Sequence, residues 1–243
     1  PNAWYGTESY TKFVTNCSGR ERVAYVGDGG GSLHCFKLMD NEDANQNNHW
    51  ELGGWEKWAY IPSNLLGQLR NKAKKDSCHF SMVDLGSVKY DVYFPSDPND
   101  GMYTDTYWRT VLIGGERAGG SQWFCLNITS PDCMISGGSK TVLWEYEDRE
   151  RLGDSYTYPE GGRIEDEDGK EKWLAFLTTG PQSTATISLA NTNTCPYIVA
   201  LNIATVTVKN TAYKSIKVQD DRTGEYAVPP LTSCSALDLK GKV

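Results

Sequence analysis

The sequence lacks most of the signatures that mark a metalloenzyme, a serine hydrolase, a membrane span or a nucleic-acid binder. Its histidines number only three, His34, His49 and His79. They lie in different segments with no i, i+4 pairing, and neither H-E-x-x-H nor G-x-S-x-G occurs. The seven cysteines, Cys17, Cys35, Cys78, Cys125, Cys133, Cys195 and Cys234, form no C-x-x-C pair, which removes zinc-ribbon and thioredoxin-type readings. Without C-x-x-C-H there is no c-type haem attachment either. No apolar run approaches the roughly 20 residues that span a bilayer, so no membrane-spanning segment is expected. Basic residues are in the minority, with Lys and Arg at 24 against 31 Asp and Glu and a net charge of −7. That balance argues against a nucleic-acid partner and against docking on an anionic membrane. Pro1 opens a polar stretch with no apolar h-region and no initiator Met precedes it, so the chain reads as a processed or internal piece of something longer.

Helical signal is sparse as well. The one helix expected covers residues 63–75, SNLLGQLRNKAKK, with Ser63 as its cap after Pro62 and Leu65, Leu66 and Leu69 on one face. The remainder reads as short β runs broken by Gly, Asn, Asp and Pro. Trp (8) and Tyr (14) outnumber Phe (6), a composition that suits sheet faces.

Three segments resemble one another: VAYVGDGGGSLHCFKL (23–38), TVLIGGERAGGSQWFCLNI (110–128) and LAFLTTGPQSTATISLANTNTCPYIVALNI (174–203). Each is an apolar strand, a small or Gly-rich turn, and a second strand of aromatic and aliphatic residues. Each is followed by a separate strand: KWAYIP (57–62), VLWEYE (142–147) and YKSIKV (213–218). A lone sheet of this kind cannot bury both faces, and stacking sheets around an axis does so without long exposed edges. The expected fold is therefore all-β, a partial β-propeller of quinoprotein-like blades with one short inserted helix. Residues 1–243 belong to a single propeller domain, with blade units at 22–62, 88–148 and 172–218 and the next blade begun at 231–243. Closing a ring takes about 4–8 blades, so the remaining ones are expected from sequence outside this chain. The repeats lie further apart than the roughly 40–50 residues of a common blade. Insertions at 40–55, at the helix, and in the acidic stretch 147–172 account for the excess.

Aligning the repeats puts Cys35, Cys125 and Ala200 in one slot, which calls for a small residue where sheets stack closely. Cys35 and Cys125 are thus expected to be inert core thiols. Cys17, Cys78, Cys133, Cys195 and Cys234 are left as candidate bridge formers, Cys195 with Cys234 among the pairs open to them, and the connectivity is not readable from sequence. Trp58 and Trp144 occupy the strands after the first two repeats and are expected to be buried ties between blades.

Several stretches go beyond a generic repeat. RVAYVGDGGGSLHCFKL (22–38), WAYIPSNLLGQLR (58–70), CHFSMVDLGSVKYDVYF (78–94), WRTVLIGGERAGGSQWFCLNIT (108–129), VLWEYED (142–148), KWLAFLTTG (172–180) and PYIVALNIAT (196–205) together resemble the C-terminal β-propeller of the type IV pilus tip-associated adhesins, the PilY/PilC family. The resemblance implies a non-enzymatic, extracellular protein at the bacterial surface or pilus tip. It implies a role in type IV pilus assembly, adhesion, or control of extension and retraction. Pilin or minor pilins are the implied partners, with the host or surface receptor open. It also implies Ca²⁺ in the full-length family protein, on an Asp-rich loop following a strand like 234–239. Only Asp238 matches that loop's start, because LKGKV supplies no further carboxylate, so no calcium and no other cofactor is expected on this chain. A quinoprotein dehydrogenase propeller binding PQQ is the alternative, but it commonly carries a vicinal Cys pair that is absent here. A structural subunit of an extracellular filament is a third reading.

No catalytic, cofactor or metal residue is assigned. DPNDGMYTD, with Asp97, Asn99, Asp100 and Asp105, is oxygen-rich but lacks the Gly and Glu of an EF-hand loop, and reads as a solvated hairpin loop. EDEDGK (165–170) reads as an acidic turn between strands. GDGGG (27–31) precedes a strand and carries no P-loop Lys, so it is a turn and no phosphate cradle. His34 is expected to be packed or hydrogen-bonded within its sheet, and His79 likewise. Asn16 and Asn127 begin N-x-S/T triplets, which a bacterial origin makes coincidental. The Asn-rich insertion at 40–55 is the expected ligand-facing loop.

Overall fold

The computed structural model describes residues 7–38, 53–74, 81–94, 108–132, 141–149, 152–165, 171–180, 197–204 and 213–217. Within them, eleven strands form three antiparallel sheets in chain order. The first sheet holds β1 (Val23–Gly27), β2 (Leu33–Lys37) and β3 (Glu56–Tyr60). The second holds β4 (Val88–Tyr93), β5 (Trp108–Gly115), β6 (Gln122–Asn127) and β7 (Val142–Glu147). The third holds β8 (Glu160–Glu165), β9 (Glu171–Thr178), β10 (Tyr197–Asn202) and β11 (Tyr213–Lys217). In every sheet each strand pairs with its chain neighbour, and no sheet closes on itself.

Two apolar clusters join the sheets. One contains Leu33, Cys35 and Trp58 of the first sheet with Leu112, Phe124 and Leu126 of the second. The other contains Val111, Trp123, Cys125 and Trp144 of the second with Trp173, Leu177, Val199 and Leu201 of the third. The second sheet is thus covered on both faces, which explains the uninterrupted burial of WRTVLIGG in β5. A strand with only one buried face would alternate. Along β6 the alternation is between partners instead: Trp123 and Cys125 join the cluster with the third sheet, Phe124 and Leu126 the cluster with the first.

The shared slot of the repeats is real in register. Cys35 sits between Tyr25 and Trp58, and Cys125 between Ile113 and Trp144. In both sheets the pairing shifts directly after the cysteine, a bulge at the same point. Both cysteines are fully buried. Ala200 lies between Phe176 and Lys214 without a shift, and is only half-buried.

Two expectations about helices are corrected. The chain has a second helix, α1 (Glu8–Asn16), capped by Thr7, whose hydroxyl accepts from Tyr10 N at 3.3 Å. Nine residues do not hold a helix in water, so packing must. Phe13 is buried, and Tyr10 meets Trp108 edge-on at 4.8 Å between ring centres. Burying Phe13 contributes roughly 1.5–3 kcal/mol, whereas the Glu8–Lys12 pair lies in solvent and is screened there. The expected helix at 63–75 exists as a 3-10 turn, Ser63–Leu65, leading into α2 (Leu66–Lys72), but Ser63 does not cap it. Leu65 is buried and Leu69 packs on the core, whereas Leu66 is exposed because the helix presents only one narrow stripe to the first two sheets.

The segments linking one sheet to the next run past the hairpin turns at one end of the stack. Val83 N donates to Asp28 O in the first sheet's turn, and Asp84 N to Glu116 O in the second's. Ser155 N donates to Gly120 O in that same turn, and Gly180 N, after β9, donates to Leu152 O. The approach is close enough that a Cβ on Gly119 would collide with the backbone of Met82. The acidic stretch set aside above as an insertion supplies both the second of these links and strand β8.

Candidate functional site: a carboxylate cluster between two sheets

The most developed polar constellation among the described residues lies where β3 and α2 of the first sheet meet the second sheet. Alternation in β7 turns Trp144 toward the third sheet and leaves Glu145 and Glu147 to other partners. Glu145 accepts from the Tyr60 hydroxyl, from Ser63 N at 2.9 Å and from the Ser63 hydroxyl. This is what AYIPSNLL is built for. Tyr60 ends β3, Pro62 stiffens the corner, and Ser63 presents the free N–H of a helix start to a carboxylate on another sheet. Burial pushes the Glu145 carboxyl up, but the donors on it outweigh burial and hold it below the usual range. The Tyr60 phenol is raised by burial and by that same carboxylate.

Glu147 accepts from the Ser121 hydroxyl and from Arg149 Nε at 2.6 Å. Glu116, just after β5, is wholly buried; its Oε2 accepts from Gln122 N at 3.3 Å, and the Asn64 amide bonds to its carboxyl. Burial pushes Glu116 up to about 7, with Glu147 adding to the rise and Asn64 and Gln122 opposing it. Ser155 Oγ accepts from the backbone N–H of both Glu116 (2.8 Å) and Arg117 (3.1 Å), which fixes the turn. Arg117 there has φ +52°, an unusual value for a residue with a Cβ.

Chemically the cluster is an anchor. Among the described residues no group of three His, Cys, Asp or Glu side chains is arranged to hold a metal ion. The oxygens of Glu145 are occupied by donors, so they are not poised as a base. The AYIPSNLL and VLWEYED segments meet across 82 residues, a pairing that carries no local signal.

The other sequence-derived positions are structural where they are described. His34 is hydrogen-bonded as expected: Nδ1 lies 2.9 Å from Glu56, Nε2 3.3 Å from Asp28, and its ring stacks on Phe36. The GDGGG run is the β1–β2 turn, tied by Ser32 N donating to Asp28 Oδ1 at 2.8 Å. Trp58 and Trp144 are buried between sheets. Asn127 accepts from the backbone and hydroxyl of Thr129 at 3.1 and 2.7 Å, a local turn. Cys17, set aside as a bridge former, is a free thiol buried beside Phe13 and is corrected to a core residue. Asp97, Asn99, Asp100, Asp105, His49, His79, Cys78, Cys133, Cys195, Cys234, Asp238 and residues 166–170 lie outside the described residues, as does most of the 40–55 insertion.

No family model matches the chain. It is 29% identical over 180 residues to a "Type IV pilus biogenesis factor PilY1 homolog" of Xylella fastidiosa, covering 73% of this chain and 10% of that protein. It is 30% identical over 161 residues to "Type IV pilus biogenesis factor PilY1" of Pseudomonas aeruginosa, covering 65% of this chain and 11% of that protein. Against the crystal structure of the Pseudomonas aeruginosa PilY1 C-terminal domain it superposes with a TM-score of 0.56 at 26% identity, over 92% of this chain and 35% of that one. The chain belongs to the PilY1 family. It spans about a tenth of the length of these curated relatives, and about a third of the solved domain. The mostly β architecture agrees with that membership.

Proposed function

We propose that the three sheets are consecutive blades of a β-propeller, and that the chain is a non-enzymatic module of a type IV pilus factor. It acts outside the cell, at the pilus tip or cell surface, in pilus assembly, adhesion, or control of extension and retraction. Pilin or minor pilins are its partners there. The observation that carries this reading is the stacking of successive antiparallel sheets in chain order, in a chain related to pilus biogenesis factors.

The test is genetic and direct. Deleting the region that encodes this chain from its source bacterium is expected to reduce surface pili and twitching motility, with rescue by the intact gene. Unchanged piliation, motility and surface attachment would overturn the pilus role. Dye-linked alcohol oxidation by the purified protein with PQQ and calcium would overturn the non-enzymatic part alone.

A further inference from the structure

The Asn64 amide bonds to the carboxyl of Glu116, yet two oxygens of this pair have no donor among the described residues: Glu116 Oε1 and Asn64 Oδ1, both buried. While Glu116 is ionised, both are acceptors and neither can serve the other. Two unsatisfied buried acceptors in one contact are costly. A single proton on Oε1 removes both defects, because Oε1–H then donates to Asn64 Oδ1 while the amide continues to donate to the carboxyl. We propose that Glu116 is a proton-binding site that closes a two-hydrogen-bond acid–amide ring with Asn64, clasping the 3-10 turn that leads into α2 to the β5–β6 turn of the second sheet.

The surroundings favour the neutral acid. Glu116 is wholly buried, and the charge of Glu147 adds to the penalty on its anion. The donors that would stabilise an anion are committed elsewhere: Tyr60 and Ser63 to Glu145, Ser121 and Arg149 to Glu147. Arg149 opposes the proton, but it is bound to Glu147. Of the linking segments, one places Asp84 beside this turn, its N–H on Glu116 O and its carboxylate paired with Arg117, and the other carries Asp154, whose carboxyl is itself raised by burial. The carboxyl is raised from 4.5 to about 7. The folded chain therefore holds this proton where the unfolded chain has lost it. The clasp contributes fully below the unfolded value and fades as pH rises through about 7.

Glu116→Gln tests this in the full chain, because a glutamine amide donates to Asn64 Oδ1 at every pH. The melting temperature is measured from about pH 5 to about pH 8. Wild type and variant are expected to match at the acid end, with the variant more stable at the alkaline end. Parallel profiles, or a variant less stable than wild type at the alkaline end, overturn the proposal. If the variant does not fold, the ¹³C-carboxyl resonance of Glu116 in the wild type decides: a midpoint near neutrality supports the clasp, and one in the ordinary carboxylate range overturns it. A calcium-dependent rise in wild-type melting temperature at the alkaline end, absent in Glu116→Gln, would also overturn it, since a cation would then hold the two oxygens together.

Discussion

The indole nitrogen of Trp58, on the last strand of the first sheet, donates a 2.8 Å hydrogen bond to the carbonyl of Pro131, just beyond the strand β6 of the second sheet. Its ring is buried among residues of both sheets. Trp58 therefore joins them twice, by area and by one directed bond. Trp58→Phe keeps most of the area and is expected to cost about 1–2 kcal/mol, largely from the carbonyl left without its donor. Trp58→Ala also opens a cavity and is expected to cost about 3–5 kcal/mol. Chemical denaturation of both variants checks the ranking. Equal losses would mean that packing alone makes the joint.

Glu145 offers a second way to separate the same two sheets. It collects three hydrogen bonds from Tyr60 and Ser63, and its carboxyl is half-buried. Glu145→Ala strands the Tyr60 hydroxyl and the Ser63 N–H together. The expected loss is about 2–3 kcal/mol. Amide exchange should also speed up selectively across residues 60–66. Uniform exchange with unchanged stability would show that these bonds are replaced by water without cost.

How much of this was legible in the sequence follows from range and burial. The β1–β2 hairpin was legible because GDGGGS sits between two apolar runs, and local signals decide hairpins. The common slot of Cys35 and Cys125 was legible because it repeats, and the structure adds the bulge that follows it. Helix α1 was not, since ESYTKFVTN holds one fully buried residue and draws its stability from Trp108, about a hundred residues away. Strand β8 was not, because EGGRIE pairs two glycines with three charges and forms only against β9. The Glu145–Ser63 contact joins segments 82 residues apart, which no local pattern encodes.

The linking segments impose a steric requirement that two glycines separate cleanly. A Cβ at Gly119 meets the Met82 backbone, whereas one at Gly67 in α2 meets nothing within 4 Å. Gly119→Ala is expected to destabilise by about 1–3 kcal/mol through forced backbone movement. Gly67→Ala is expected to stabilise by up to about 1 kcal/mol through helix propensity. Thermal melts with shifts of opposite sign support the tight passage at Gly119; shifts of the same sign would refute it.

His34 gives a pH dependence distinct from that of Glu116. The bond to Glu56 raises its imidazole above 6.5; partial burial opposes this, and Asp28 adds to the rise. The contribution is fully present below the unfolded value of 6.5 and is lost as pH climbs through the higher folded value. Both carboxylates are half-exposed, so the effect should stay under about 1 kcal/mol. His34→Gln is expected to flatten the stability profile above about pH 6.5 and to leave the Glu116 component in place. Additive flattening in the double variant with Glu116→Gln would show the two sites to be independent, as their separate surroundings require.

The buried cysteines make the stacking itself testable. Cys125 is a free thiol at the centre of the second sheet, fully buried, and burial pushes its pKa well up. A thiol in that state has almost no thiolate and no path for a reagent. Cys35 occupies the same slot in the first sheet and is equally buried. Each is shielded only while the neighbouring sheet lies over it. Residue-resolved alkylation should therefore leave both unlabelled in the native chain and label both in denaturant. Under Trp58→Ala, which loosens the joint between the first and second sheets, Cys35 should become reactive before Cys125, because only Cys35 belongs to that joint's cluster. Simultaneous labelling would mean that the stack opens as one unit, and native labelling of either would mean that the sheets do not stack as described.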